Sequence, residues 1–497
     1  MIPLTDVRPN SWEFMDVPMI LPTGFREYDM RWRFPDDINL AGFSLLGQGI
    51  GTQMRRLGVK PEIIIACDYR EYSVSVRTAL ALGLMRAGTD VKSIGASVSP
   101  MAYFSRQHLG IDAVAMVTAS HNPNGWTGVK TGFEHPLTHG EVEMKQLRDI
   151  VLGGLSESNA SGGYEEIGGI RQAYLDDLCT GIRISRPIKA VCATGNGTAS
   201  AFAPEALKRI GVEVVPLHNE LDYSFPNYNP DPESMTMLRD MADTVRKSGA
   251  DLAFGFDGDG DRLGIVDDEC EEIFSDKLGV LLARELARSH RDSLFIADVK
   301  STGIFATDAV LKKFGARSEF WKTGHSHIKR RVAETGALAG FEKSGHFYLA
   351  PPVGRGYDCA LRVAVELCLL LDRHPDDKLS DMKKSLPRTY STPTLSPPCP
   401  DTEKYGVVER VSAKLDEWRS SGRRFAGAQI EDLIKVNGVR VSLPHGSWGL
   451  IRASSNTPNL VVVCESTKGE SENRLILSEI KELLRKESSV DIENLSL

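Results

Sequence analysis

The chain has 497 residues, more than one hydrophobic core usually serves, so its length alone predicts three or four domains. Lysine plus arginine number 59 against 67 acidic residues, for a net charge of −8. That balance excludes a global attraction for nucleic acid or an anionic membrane, so an anionic small molecule would need a local gathering of Arg and Lys. The eight cysteines include no Cys-x-x-Cys pair, which fits reduced thiols and neither a zinc site nor a disulfide framework. The opening "MIPLTDVRPNSWEF" has no basic-then-apolar leader pattern, and no apolar run approaches membrane-spanning length; the expectation is a cytoplasmic protein with no membrane partner.

In chain order, "EIIIACD" (62–68) predicts a buried strand, "SVRTALALGLMRAG" (75–88) an amphipathic helix and "AVAMVTAS" (113–120) the next strand. The glycine-rich "GQGIGT" (47–52) sits inside a helical pattern with no strand before it, which argues against a dinucleotide loop. "GGLSESNASGG" (153–163) separates a second unit, in which "IKAVCAT" (188–194) and "VEVVPL" (212–217) predict strands. "ATGNGTAS" (193–200) follows the first of these without Walker lysine spacing and reads as a strand-to-helix turn. A third unit from about Glu272 has strands at "SLFIADV" (293–299), "SEFWKT" (318–323) and "ALAGFE" (337–342). The Pro-rich "STPTLSPPCPD" (391–401) reads as a linker to a different kind of segment, with strands "GVRVSL", "GLIRAS" and "LVVVCE" and a closing helix "ENRLILSEIKELLRKE". The predicted fold is α/β: three tandem layered α/β domains with mixed, mostly parallel sheets, then a C-terminal α+β domain, around a central cleft. The expected boundaries are 1–168, 169–272, 273–388 and 389–497.

Two stretches concentrate chemistry. In "MVTASHNPNGWTGVK" (116–130), Asn-Pro and Asn-Gly pairs argue for a tight turn after the strand. Ser120 there is either a helix cap or a nucleophile at the lip of a sheet, and the stretch by itself leaves both open. In "DGDGDR" (257–262), Asp257, Asp259 and Asp261 alternate with glycines. Three carboxylates that close repel unless a cation sits among them, and a hard divalent ion such as Mg²⁺ suits oxygen donors. An EF-hand is excluded because Arg262 stands where glycine is needed and the flanks read as strands. A dehalogenase-type nucleophilic Asp257 is weakened by Asp261 in place of threonine, and a solvated acidic turn is the remaining alternative.

Polar groups also follow the later strands: Lys300 in "DVKSTG", Lys322 and His325 in "WKTGHS", and Glu342, Ser344 and His346 in "FEKSGH". Ligands gather at the carboxyl ends of strands in such sheets. The pair His325 and His327 has no third zinc ligand nearby in sequence. "RASSNTPN" (452–459) offers a guanidinium and short donors in one turn, a composition that suits phosphate but also occurs for local reasons.

Together these stretches resemble the α-D-phosphohexomutase superfamily, specifically its bacterial phosphomannomutase/phosphoglucomutase branch. "TASHNPNGWTGVK" resembles the active-site serine loop, "DGDGDR" the metal loop, "FEKSGH" the sugar loop and "RASSNTP" the phosphate loop, with "EYDMR", "PNYNPDP" and "KTGHS" in support. The resemblance implies a phosphorylated Ser120 that, with Asp257, Asp259 and Asp261, ligates Mg²⁺. It implies reversible interconversion of hexose 1-phosphate and hexose 6-phosphate through a hexose 1,6-bisphosphate, which also activates the enzyme. Lys130 and Arg31 become candidates for acid/base work, assisted by His121 and His346. Tyr28, Arg262, Lys300, His325, Glu342 and Ser344 become sugar-phosphate contacts, and Arg452, Ser454, Ser455, Asn456 and Thr457 the cradle of the second phosphate. Expected partners are small sugar phosphates, with the chain a monomer or small homo-oligomer. Phosphoglucosamine mutase is the nearest alternative, and a metal-dependent sugar phosphatase or a non-catalytic binding protein come from other classes. Four positions depart from the family pattern: Trp32, Thr127, Phe341 and the "SSN" order in the last loop.

Overall fold

A computed structural model describes residues 3–4, 16–454 and 457–492. By contact the chain divides into two compact units, residues 1–275 with 344–380, and residues 276–343 with 381–497.

The first unit holds two α/β sheets. Strands β1 (Met30–Arg33), β2 (Glu62–Cys67), β3 (Asp90–Ala96), β4 (Ala113–Val117), β5 (Trp126–Gly132) and β6 (Tyr164–Glu166) pair in the order β1-β5-β4-β2-β3-β6. β2, β3, β4 and β6 run parallel, as βαβ crossovers require, whereas β5 returns antiparallel beside β4 and β1 antiparallel beside β5. The alternation of Asn-Pro and glycine turn residues gave no sign of β5; it forms because the chain turns back after Ser120 and its amides can pair with β4. β2 and β4 are apolar on both faces because helices cover both, including Leu40–Arg56 and Ser73–Arg86. "GQGIGT" lies within the first of these helices, where a Cβ on Gly47 would stand 2.1 Å from the Leu80 carbonyl and one on Gly83 1.7 Å from that of Ser44. The glycines serve close helix packing.

The second sheet contains β7 (Lys189–Ala193), β8 (Glu213–Leu217), β9 (Leu252–Phe256), β10 (Leu263–Asp267) and β11 (Glu272–Ile273) in the order β11-β10-β9-β7-β8. β7 is parallel to β8 and β9, while β9 and β10 form an antiparallel pair whose connection is "DGDGDR".

The second unit opens on β12 (Leu294–Asp298), β13 (Arg317–Trp321) and β14 (Ala339–Phe341), with β12 parallel to both others. The following short strand β15 (Phe347–Leu349) falls in the first unit. The second unit ends in an antiparallel sheet of β16 (Tyr390–Ser391), β17 (Asp432–Ile434), β18 (Val439–Ser442), β19 (Trp448–Ala453) and β20 (Leu460–Ser466), ordered β16-β20-β19-β18-β17. Helices Lys404–Ser420 and Glu470–Leu484 share its core. The architecture is thus three α/β domains, the first two with mixed sheets, followed by a C-terminal antiparallel-sheet domain.

The Pro-rich stretch is not a loose tether. Thr392, Leu395 and Cys399 donate backbone N–H groups to Cys464, Val462 and Pro458, and Pro397 accepts from Leu460. The prolines occupy an edge, where a missing N–H costs no ladder bond.

Two buried charges join the third and fourth domains. Arg440 donates to the carbonyls of Val299 and Ser301 at 2.8 and 2.7 Å and lies between the rings of Phe320 and Trp448. Glu465 accepts from Lys277 (2.7 Å), Thr302 (2.8 Å), the Gly303 amide (2.9 Å) and Trp448 (3.1 Å). Burial alone would raise the Glu465 carboxyl, but the Lys277 charge and these donors outweigh it and hold it below the usual carboxylate range. Its stabilisation is therefore present above that range and drains away as pH falls below it. Glu465→Gln, which leaves Lys277 unpaired, is expected to cost about 3 kcal/mol at neutral pH and to flatten the acid limb of a pH–stability profile. Denaturant melts across pH check both.

Candidate active site

The serine loop begins where β4 ends. Ser120 is buried and has φ 52°, the left-handed region, a conformation that costs a non-glycine residue about 1–3 kcal/mol and persists only where its surroundings impose it. Its amide donates to Thr118 Oγ1 at 2.8 Å, and its hydroxyl donates to Asp257 Oδ2 at 3.0 Å, with His121 Nδ1 3.4 Å away. Ser120 thus caps no helix; its hydroxyl faces the acidic loop.

In that loop Asp257, Asp259 and Asp261 are all fully buried and bring one oxygen each within 4.8 Å of the others. Asp257 Oδ1 accepts from the amides of Asp261 (3.0 Å) and Arg262 (3.2 Å), which fixes the turn. Asp259 Oδ2 accepts from Ser99 (2.6 Å), Thr118 (3.0 Å) and Lys130 (2.8 Å), and Asp261 Oδ2 from Lys130 at 2.5 Å. Burial disfavours charge on Lys130, yet Asp259 and Asp261 outweigh it and keep the ammonium protonated well above its ordinary range. The same lysine, with Ser99, holds the Asp259 carboxylate ionised against its burial. Asp257 goes the other way: burial first, then the charges of Asp261 and Asp259, push it well above the carboxylate range.

This conflict is what a cation would remove. The Oδ1 atoms of Asp259 and Asp261 are buried with no hydrogen-bond partner among the described residues. Hard carboxylate oxygens with unused lone pairs fit a divalent, oxygen-seeking ion. The trio is a group that can hold a metal ion.

The two loops touch through backbone. A Cβ on Gly258 would stand 2.6 Å from the Ser120 carbonyl, so Gly258→Ala must push the loops apart. A drop in turnover of about 10²-fold with retained folding is expected, checked by steady-state kinetics beside a thermal melt. "ATGNGTAS" contributes here as a brace: Thr198 donates its amide to the Gly258 carbonyl (3.1 Å) and accepts from the Tyr69 amide (2.8 Å). Its expected role as a plain turn stands, with that support added.

Arg262 Nε donates to His346 Nε2 at 2.9 Å, and His346 Nδ1 lies 3.0 Å from Asp358 Oδ2. The Arg262 charge, then burial, Arg31 and His346, keep the His121 imidazole neutral. Arg31 is paired with Asp29 at 2.9 Å, and Tyr28 is half-buried in the preceding turn. Trp32 leaves Arg31 undisturbed, because strand alternation turns it to the opposite face. There it is fully buried, donates to the Leu21 carbonyl (2.8 Å) and meets Phe25 and Phe43 edge-on. Thr127, the second departure, is buried opposite Trp32 in the β1–β5 pair. Ser99, Thr118 and Asp358 were missed by sequence reasoning. A lone Ser, Thr or Asp in an apolar context gives no signal, and only the fold brings them to the acidic loop.

In the second unit, Asp298 at the end of β12 organises the polar loops. It is buried and accepts from Ser301 (2.5 Å), Thr323 (2.8 Å) and the Lys343 amide (3.2 Å). It therefore ties together the stretches that carry Lys300, Lys322, His325 and Glu342. Glu342 Oε2 accepts from the Gly324 amide at 3.0 Å, and Phe341 fills the core beneath, stacked on Phe305. Lys300 and Lys322 are half-buried, as is Ser344, which falls in the first unit.

At the end of β19, Arg452 donates to the Ala453 carbonyl (2.9 Å) and Ser454 bonds Thr457 between hydroxyls (2.8 Å). Lys404 clamps the loop by donating to the carbonyls of Ser454 (2.6 Å) and Thr457 (3.1 Å). Ser455 and Asn456 lie outside the described residues, and with them most of the "SSN" departure. No helix among the described residues is long and apolar enough to cross a membrane.

The first unit thus presents a serine hydroxyl to a buried carboxylate trio at the ends of layered α/β sheets. Sequence models described as phosphoglucomutase/phosphomannomutase alpha/beta/alpha domains I, II and III match residues 22–156, 172–270 and 274–390. The chain belongs to the phosphoglucomutase/phosphomannomutase family. A Pseudomonas putida phosphomannomutase/phosphoglucomutase is 30% identical over 94% of this chain and 96% of its own. A Neisseria gonorrhoeae phosphoglucomutase is 31% identical over 89% of this chain and 92% of its own. The crystal structure of a phosphoglucomutase/phosphomannomutase family protein from Burkholderia thailandensis superposes with a TM-score of 0.85 at 28% identity, covering 95% of this chain and 100% of that one.

Proposed function

We propose that the chain interconverts the 1- and 6-phosphates of mannose and glucose, with Ser120 as the phosphoryl carrier. The observation that carries this reading is the Ser120 hydroxyl 3.0 Å from Asp257, within a trio whose Asp259 and Asp261 each keep one buried oxygen that accepts no hydrogen bond among the described residues. Asp257, Asp259 and Asp261, with the phosphoserine, would hold Mg²⁺. When bound, the ion would supply charge neutralisation for the phosphoryl oxygens.

In the first half-reaction the phosphoserine P–O bond breaks and the phosphoryl group passes to a hydroxyl of the bound hexose phosphate, which gives the 1,6-bisphosphate. In the second the other phosphate returns to Ser120 Oγ. Lys130 brings positive charge to the acidic loop and, held protonated there, would serve with Arg31 as a donor at the sugar hydroxyl rather than as its base. His121 would move a proton at Ser120 Oγ, and Arg262 and His346 would complete the polar wall. In the second unit Lys300, His325 and Glu342 would bind the sugar, with Ser344, while Arg452, Ser454, Ser455, Asn456 and Thr457 would bind the remaining phosphate. The reading gives one loop to each of four domains, 1–168, 169–272, 273–388 and 389–497.

Lysine at position 343, where the glucosamine branch usually has glutamine, supports the neutral hexoses over glucosamine. A coupled assay of glucose 1-phosphate, mannose 1-phosphate and glucosamine 1-phosphate, with and without glucose 1,6-bisphosphate, tests the proposal. Conversion of the neutral sugars, stimulated by the bisphosphate, is expected. Release of inorganic phosphate without isomerisation would replace it with a phosphatase.

A further inference from the structure

We propose that Arg70 is a positioning residue for phosphoryl transfer: its guanidinium holds the backbone that aims Ser120 Oγ. The inference rests on the reading of Ser120 as the carrier. Arg70 is buried, follows β2 and spends both terminal nitrogens on one loop. Nη2 donates to the carbonyls of Ser120 (3.0 Å) and Asn122 (2.7 Å), and Nη1 to the Pro123 carbonyl (3.1 Å) and the Asn124 side chain (3.3 Å). Nε donates to Asp68 Oδ2 at 3.1 Å, and that same oxygen accepts from the Ala119 amide at 3.2 Å. The Asp68–Arg70 pair thus grips the loop on both sides of Ser120. The guanidinium carbon lies over the Phe225 ring, 5.1 Å from its centre.

Stability alone does not call for this arrangement, because a buried ion pair is often no better than apolar residues of the same volume. What the pair supplies is direction. The Ser120 carbonyl is committed to Arg70 and its hydroxyl to Asp257, and the residue sits in a left-handed conformation it would leave if released. A side chain that carries a phosphoryl group in one half of the cycle and none in the other needs a backbone that stays put in both. A planar fork with five donors can span these five acceptors; an ammonium with three cannot.

The test compares wild type, Arg70→Lys and Arg70→Met after charging with glucose 1,6-bisphosphate. Thermal melts, kcat and KM for glucose 1-phosphate, phosphate occupancy by intact mass and the ³¹P resonance of the phosphoserine are measured. Arg70→Lys is expected to fold, to keep its KM and to lose about 10²-fold in kcat, with a shifted ³¹P resonance; Arg70→Met is expected to lose at least as much. Wild-type kcat in a folded Arg70→Lys, a loss confined to KM, or failure of Arg70→Lys to fold would overturn the assignment, the last by marking Arg70 as structural. A wild-type protein that neither carries phosphate nor isomerises the sugar would instead refute the mutase reading, independently of Arg70.

Discussion

Ser120→Ala is expected to abolish covalent phosphate and to lower mutase turnover by about 10⁴-fold or more, as removal of an obligate nucleophile does. The proposal gives the phosphoryl group to this hydroxyl, and no other serine or threonine oxygen is bonded to Asp257 among the described residues. The alanine variant should fold, because the Ser120 backbone bonds to Thr118 and Arg70 involve no side-chain atom of residue 120. Relief of the left-handed strain is not expected, since alanine tolerates that region no better than serine. Hexose-phosphate binding should survive, because the assigned sugar and phosphate loops are untouched. Intact-mass spectrometry before and after incubation with glucose 1,6-bisphosphate, and a binding titration of glucose 1-phosphate, read the two halves separately. An alanine variant with normal turnover would refute the carrier role.

Lys130→Met is expected to be the most damaging substitution for stability at the site. Lys130 is buried between Asp259 and Asp261 at 2.8 and 2.5 Å, and methionine leaves those carboxylates without their cation. Removing one partner from a buried charge cluster costs about 3–5 kcal/mol. Because the lysine is shifted upward, its stabilisation is present through the acid and neutral range and is lost only as pH rises through the raised value. Divalent cation should then do more for the variant than for the wild type: added Mg²⁺ should raise the melting temperature of Lys130→Met by the larger increment, since it binds the folded trio and not the unfolded chain. Turnover should fall about 10²–10⁴-fold even with saturating Mg²⁺, because the proposed donor at the sugar hydroxyl is gone. A variant as stable as the wild type, with no enhanced response to Mg²⁺, would contradict this account of the cluster.

Legibility from the sequence followed the range of the interactions. β2, β4, β9 and β10 were readable because burial on both faces demands continuous apolar runs, and the strands of the last domain for the same reason. The acidic loop was readable because spacing carries its chemistry: three carboxylates two residues apart, with glycines between, are brought together by the turn itself. Trp32 and Phe341 looked like disturbances because a one-dimensional pattern does not say which face a side chain takes; both turned out to be core residues. The Pro-rich stretch read as a tether because composition records the absence of helix, not the presence of an edge to pair with.

By itself the sequence determined the kinds of domain and the order of the loops, since each depends on residues within one turn or one strand. Only the tertiary structure decided how the groups on those loops are charged and aimed. Lys130 is 127 positions from Asp257 in the chain, yet its ammonium sits against that residue's neighbours Asp259 and Asp261. The carbonyl of the left-handed Ser120 is bonded to Arg70, and the loops after β12, β13 and β14 meet on one buried carboxylate, Asp298. Each is a contact between residues far apart in sequence, and its energy exists only once burial has removed water and left polar groups no other partner.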